Sequence, residues 1–241
     1  MPSASIPEIR TIRSSFAGLP QWSPQPVDDL PDVPALPETL LQMELKLYDF
    51  SIDLHELSRL ILSDAGATLQ ILRLAARECS GLDGSPARIE DCISDLGLVA
   101  CLRAAGRRTV LSEARHRGVV EIWAHSREIA QLCRKIAGTT DGWMHPEDAY
   151  LVGLTHTLGL LPGILGWMWP DNAASNWIEK GAKLAEMWLL PTFVQEFFAE
   201  MRAASAKDGW SDLVRQAHRM ARSSARCPMC EVAGPQLCRP A

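Results

Sequence analysis

The stretch that decides the fold is YLVGLTHTLGLLPGILGWMW, from Tyr150 to Trp169. It carries no charged side chain, and about 20 apolar residues are long enough to cross a bilayer as a helix. Four glycines, Pro162, two threonines and His156 interrupt the apolar character, and a proline ends or kinks a helix that runs through it. The stretch therefore predicts two short, buried helical segments that meet between Gly159 and Gly163, and not a membrane span. The pair His156 and Thr157 then lies inside a core, where it must find partners or belong to a site.

The overall composition is that of an ordinary globular protein. The 241 residues are 47% hydrophobic and 22% charged, and a chain of this length can bury a sizeable core. The net charge of −5 provides no general attraction for nucleic acid or anionic membranes. The N-terminus has no basic region followed by an apolar stretch, so no secretory signal is expected. Cys79, Cys92, Cys101 and Cys133 lie in apolar helical patterns and predict buried thiols in a reducing cytoplasm.

The distribution of prolines and apolar residues predicts three regions. Eight of the sixteen prolines lie in residues 1–37, which favours an extended or disordered leader over 1–33. Over 34–224 the apolar residues recur with helical spacing, and no alternating run is long enough for a strand, so a single all-α domain is expected. Residues 225–241 are expected to form a flexible tail. The first predicted helix carries Leu40 to Leu47, the second is capped by Asp53, and the third begins near Asp64. The remaining predicted helices span Ile89–Leu96, Leu98–Leu111, Val119–Ala137, Pro146–His156, Ile178–Trp188, Thr192–Ala204 and Trp210–Arg222.

The tail contains Cys227 and Cys230 in a CxxC pair, followed by Cys238. A CxxC pair is a common half of a zinc site, but a structural zinc site usually has four ligands. A tail zinc site, a redox-active pair and an unstructured tail therefore all remain open.

Two stretches are rich in basic residues. Residues 103–117 carry five arginines, and a second basic stretch covers 202–226. Such basic residues usually lie on solvent-exposed faces of helices. If they cluster on one surface, they could instead bind an acidic partner. Because the chain is net acidic and shows no recognition helix, nucleic acid is not expected as a partner.

Several short patterns, in a fixed order, carry a resemblance that runs from about Pro34 to Ala204. The chain resembles the HDOD family, the HD-related output domains of bacterial signalling proteins. The patterns are Pro34-Ala35-Leu36-Pro37, Leu57-x-x-Leu60-Ile61-x-x-Asp64, Leu69-x-x-Leu72-Arg73-Leu74-Ala75, Arg88-Ile89-x-x-x-Ile93-x-x-Leu96-Gly97, Trp123-x-His125-Ser126, Ala149-Tyr150-Leu151-x-Gly153-Leu154-x-His156-x-Leu158-Gly159 and Trp188-x-Leu190-Pro191.

The resemblance implies an all-helical fold related to the HD metal-dependent phosphohydrolases, and a regulatory role without demonstrated catalysis. It places His125 and His156 at two metal-ligand positions of the catalytic relatives, and Thr157 where those relatives carry an aspartate. Trp177 stands where a later histidine is often found, and its side chain could fill the old pocket. Hard divalent ions need anionic oxygen ligands, which threonine does not supply. We therefore expect a vestigial pocket of His125, His156, Thr157 and Trp177, with no metal, no cofactor and no catalytic residue.

The expected function is a non-catalytic, cytoplasmic bacterial signalling module that binds a regulatory protein, with self-association also open. Two alternatives remain: a residual phosphohydrolase that uses His125 and His156, and a sensor that binds a nucleotide in the same pocket. Either histidine alone could simply be a core residue bonded to a backbone carbonyl. His55, His116, His145 and His218 lie in polar surroundings and are expected on the surface.

Overall fold

The structure is a computed structural model, and it describes residues 32–48, 53–78, 88–107, 111–139, 144–167, 176–203 and 209–221. Every regular element in these ranges is helical, which confirms the all-α prediction. The elements are α1 (Pro37–Lys46), α2 (Leu54–Leu62), α3 (Ala65–Glu78), α4 (Ile89–Leu96), α5 (Leu98–Ala105), α6 (Glu113–Thr139), α7 (Pro146–Thr155), a 3₁₀ turn (Leu158–Leu160), α8 (Leu161–Leu165), α9 (Trp177–Met187), α10 (Thr192–Ala203) and α11 (Trp210–Met220).

Local sequence accounts for where several helices begin. The Asp53 side chain caps α2 by accepting a hydrogen bond from the backbone N–H of His55, as predicted. Pro37 and Pro146 occupy the first turns of α1 and α7, where a missing N–H leaves no helix hydrogen bond unmade. The Asn176 side chain caps α9.

Three predicted helix boundaries were wrong. The helix predicted to run to Leu111 ends at Ala105, and Gly106 closes it with a backbone hydrogen bond to the Leu102 carbonyl. Helix α6 begins at Glu113, six residues before the predicted start, and it continues through Gly138. The first turns of α6 are polar and exposed, so the apolar spacing used for the prediction could not detect them. A glycine costs a helix only about 1 kcal/mol, which the rest of a long helix can absorb.

As far as Trp167, where the described part of the uncharged stretch ends, the stretch folds into short segments that are mostly buried. Helix α7 is followed by the 3₁₀ turn and then by α8, which ends at Gly166 in a left-handed conformation. Pro162 lies in the first turn of α8, so it helps to begin a helix. None of the helices among the described residues is long and apolar enough to cross a membrane.

Helices α6 and α7 pack along each other, and the N-terminal elements attach to this pair through hydrogen bonds. The indole N–H of Trp123 on α6 donates to the Pro34 carbonyl at 3.3 Å, and the Tyr150 hydroxyl on α7 donates to the Leu62 carbonyl at 2.9 Å. Val33 is completely buried. Residues 1–31 of the predicted leader, the predicted tail and Cys79 lie outside the described residues, whereas Cys92, Cys101 and Cys133 are buried as predicted.

Candidate functional site: a buried cluster of three histidines

Three histidines from three different elements meet, with His125 and His156 buried and His218 half-buried. His125 lies in the middle of α6, His156 directly follows α7, and His218 lies in the last turn of α11. The ring centroids of His125 and His156 are 5.3 Å apart, and each lies 5.1 Å from that of His218. One ring nitrogen from each side chain lies within 4.8 Å of the other two.

Glycine at position 153 allows α7 to come close enough to α6 for the cluster to form. A Cβ atom at Gly153 would lie 2.6 Å from the Ala130 Cα atom and 3.1 Å from the Cys133 sulfur. Any larger residue would push the two helices apart. Since His125 lies on α6 and His156 follows α7, their separation depends on this contact.

The tautomer of His156 follows from its hydrogen bond. Its Nδ1 atom lies 2.6 Å from the Gly153 carbonyl oxygen, and a carbonyl only accepts, so Nδ1 carries the proton and donates it. The neutral ring then presents a lone pair at Nε2. That atom is buried and has no hydrogen-bond partner. A buried nitrogen without a partner is uncommon, because leaving it unpaired costs free energy.

Burial keeps the imidazoles neutral. Removal from water, with the neighbouring His218 and His125 adding to the effect, holds the pKa of His156 well below its ordinary value near 6.5. The same cause lowers the pKa of His218 to about 4. Burial also lowers the pKa of His125, although the nearby Glu128 carboxylate opposes that change. At neutral pH the cluster therefore offers uncharged nitrogen donors.

Beside the cluster, two hydroxyl groups satisfy each other. The Ser126 Oγ and Thr157 Oγ1 atoms are 2.8 Å apart, and both residues are buried. Among the described residues, the only group of three or more His, Cys, Asp or Glu side chains with spacing suitable for a metal ion is this histidine cluster, and it contains no carboxylate. The donor set therefore does not fit the hard, oxygen-preferring ions of HD-type hydrolysis.

The predicted site residues are placed as follows. His125 and His156 are brought together, and Thr157 lies next to them with its hydroxyl bonded to Ser126. Trp177 opens α9 and is half-buried, and its backbone packs against Gly159, where an added Cβ would collide with it. Its filling of the pocket stays a prediction. Cys227, Cys230 and Cys238 lie outside the described residues.

His218, which was predicted on the surface, is half-buried against His125 and His156, whereas His55, His116 and His145 are exposed as expected. Helix α11 reads as polar, but Leu213, Val214 and Ala217 form a buried stripe on it. His218 comes four residues after Val214, so the 3.6-residue period places it at the edge of that stripe. The apolar spacing in α11 was the signal that could have identified it.

Comparison with known proteins assigns the chain to a family. The HDOD domain model matches residues 33–170, more than half of the 241 residues, and the chain belongs to the HDOD family. No curated protein sequence matches it significantly.

Two structures of one response regulator share the fold at low sequence identity. The MmoQ response regulator from Methylococcus capsulatus strain Bath is 18% identical, with a TM-score of 0.63 over 87% of this chain and 98% of that one. A second structure of that regulator, fragment 20–298, is 20% identical, with a TM-score of 0.60 over 88% and 96%. An HDOD domain protein of unknown function from Geobacter sulfurreducens is 20% identical, with a TM-score of 0.32 over 79% and 72%.

Proposed function

We propose that this HDOD protein is a non-catalytic regulatory module of bacterial signal transduction that acts by binding another protein. The observation that carries the proposal is the absence of any carboxylate from the histidine cluster in the described part of the chain. HD-type phosphohydrolysis uses hard ions that are held by anionic ligands, and three neutral imidazoles do not supply such ligands.

The Ser126 and Thr157 pair supports the same conclusion. On the family resemblance, Thr157 occupies the position of the metal-binding aspartate. Its hydroxyl oxygen is neutral, buried and already engaged with Ser126 at 2.8 Å. A neutral oxygen in that position neither neutralises a cation nor activates a water molecule as a base.

A groove over α3, α4 and α5 is the surface that we assign to the partner. Its lining combines apolar side chains with Arg103 and Arg107. Val99 in this groove is 51% exposed, although it is apolar. Apolar surface beside guanidinium groups suits an amphipathic segment that carries acidic residues, because such a segment can bury its apolar face and pair its carboxylates. The proposed partner therefore presents an acidic amphipathic segment.

The test compares the wild-type chain with two variants in quantitative affinity purification from the native host. Val99→Glu combined with Arg103→Glu should reduce recovery of the partner by about tenfold or more, since charge reversal in an interface is unfavourable. Val120→Glu is the matched control, because Val120 is also an exposed valine, at 40%, but lies on α6 outside the groove. A partner that is retained by the double variant would contradict the assignment of the groove.

A second measurement tests the absence of catalysis. The purified full chain is assayed for phosphodiesterase and phosphatase turnover with added Mn²⁺, Mg²⁺ and Fe²⁺. Turnover that disappears in His125→Ala would overturn the proposal in favour of a residual phosphohydrolase. Stabilisation by a nucleotide that is likewise lost in that variant would favour a sensor.

A further inference from the structure

We infer that His125, His156 and His218 form a binding site for one divalent ion of the zinc, cobalt and nickel class. The site goes beyond the proposed function, and it does not depend on partner binding. Three nitrogens on a tetrahedral zinc ion with Zn–N bonds of about 2.0–2.1 Å lie about 3.3 Å from one another. The ring nitrogens of the cluster already lie within 4.8 Å of one another, at most about 1.5 Å more than this geometry requires.

The hydrogen bond of His156 matches the arrangement that supports metal-binding histidines. Such a histidine usually donates its second ring N–H to a carbonyl or carboxylate, which fixes both the tautomer and the direction of the free lone pair. The bond from Nδ1 to the Gly153 carbonyl does this. The buried Nε2 atom, which has no partner, is then the metal-binding atom. An ion bound there would satisfy it.

The donors select the class of ion. Imidazole nitrogen suits Zn²⁺, Co²⁺, Ni²⁺ and Cu²⁺, whereas Mg²⁺, Ca²⁺ and Mn²⁺ prefer carboxylate, carbonyl and water oxygen. No metal-spaced carboxylate accompanies the histidines in the described part of the chain, so the second group of ions is disfavoured. Three protein nitrogens leave a fourth position for water or an external donor.

His218 supplies the third metal-binding nitrogen from outside the segment that the HDOD model matches. It lies on α11, beyond residue 170, where the family model ends. Helix α11 packs against α6 and α7. A bound ion would tie the last described helix to the α6 and α7 pair, so metal binding should stabilise the folded chain.

The test uses cobalt as a probe, because zinc has no visible absorption. The full chain, stripped with a chelator and carrying Cys227→Ser, Cys230→Ser and Cys238→Ser to remove the tail thiols, is titrated with Co²⁺. We expect visible d–d bands of tetrahedral intensity that saturate at one ion per chain. We also expect saturating Zn²⁺ to raise Tm by about 5 °C.

Three variants in this background define the ligand set. His218→Ala should weaken binding by about 100-fold or more, since loss of even a supporting partner costs about 10-fold to 100-fold. His218→Cys should keep the ion and add a thiolate-to-cobalt charge-transfer band, because thiolate is itself a zinc ligand. His116→Ala removes an exposed histidine from α6 and is expected to leave the titration unchanged.

Three outcomes would overturn the site. The first is the absence of tetrahedral bands at millimolar cobalt. The second is a titration of His218→Ala that equals that of His116→Ala, and the third is a His218→Cys spectrum without the thiolate band. Circular dichroism of each variant identifies unfolded protein, and His218→Cys provides a positive signal that a merely misfolded chain cannot produce.

Discussion

Two buried polar groups, the Asp64 carboxylate and the His156 imidazole, differ in how completely the fold supplies their hydrogen-bond partners. Asp64 is completely buried, and its oxygens accept hydrogen bonds from the backbone N–H groups of Leu36, Gly66 and Ala67 at 2.6, 2.8 and 3.2 Å. Burial raises the pKa of Asp64, and these donors, together with Thr39, oppose the rise. His156 is equally deep, but only its Nδ1 atom is bonded, while Nε2 has no partner.

This difference separates a structural polar group from a candidate site. The carboxylate joins the segment before α1 to the start of α3, and each of its hydrogen bonds belongs to the fold itself. The imidazole retains an unused lone pair in a position where water does not reach it. A polar atom that the fold leaves unpaired, next to two other nitrogen donors, indicates a ligand from outside the chain.

The largest expected loss of stability comes from removing the Asp64 carboxylate, whose hydrogen bonds are all made within the fold. Asp64→Ala should lower the free energy of unfolding by about 4 kcal/mol, because it removes a helix cap and leaves buried N–H groups unpaired. Chemical denaturation measures this loss. Asp53→Ala, which removes the exposed cap of α2, is the control and should cost about 1 kcal/mol. Equal losses in both variants would contradict the structural role of Asp64.

A change of pH tests the buried histidines of the cluster. The folded-state pKa values of His156 and His218 lie below the ordinary value near 6.5, so below that pH the unfolded chain binds more protons. The metal-free protein should therefore lose stability as the pH falls from about 7.5 to about 5, by on the order of 2 kcal/mol for a histidine that stays neutral. Thermal unfolding at each pH measures the loss. His218→Ala should flatten the curve, and a slope that it leaves unchanged would exclude the cluster as the cause.

A smaller loss is expected when the helix contact that forms the cluster is disturbed. Gly153→Ala should destabilise the fold by about 1.5 kcal/mol, because its Cβ atom would meet the Ala130 backbone at 2.6 Å. It should also weaken cobalt binding by moving His156 away from His125. Gly163→Ala is the control, since nothing lies within 4 Å of its added Cβ atom. Denaturation and cobalt titration of both variants would reveal whether the two effects occur together.

The smallest change in stability should come from replacing His156, whose Nε2 atom has no hydrogen-bond partner. His156→Leu exchanges the imidazole for an apolar side chain of similar size, and removal of an unpaired polar atom offsets the packing that is lost. The free energy of unfolding of the metal-free protein should change by no more than about 1 kcal/mol at about pH 7.5, as measured by chemical denaturation. A loss as large as that of Asp64→Ala would mean that His156 is a structural residue.

Much of the fold followed from local pattern. The 3.6-residue spacing of apolar residues predicted the helices, and Asp53 and Pro146 indicated where two of them begin. The same spacing failed for the start of α6, where the first turns face solvent and carry no large apolar residues. It also gave the wrong environment for His218, since a polar helix with a narrow apolar stripe resembles a surface helix.

The sequence by itself determined the all-α class, the family, and the burial of His156 and Thr157, because these depend on residue order and on hydrophobic periodicity along the chain. Only the tertiary structure decided that His125, His156 and His218 meet, that Gly153 sets the approach of α6 and α7, and that Nε2 of His156 is left without a partner. The physical reason is that a cluster of side chains depends on how helices far apart in the chain pack together. Local propensity carries no information about those distances.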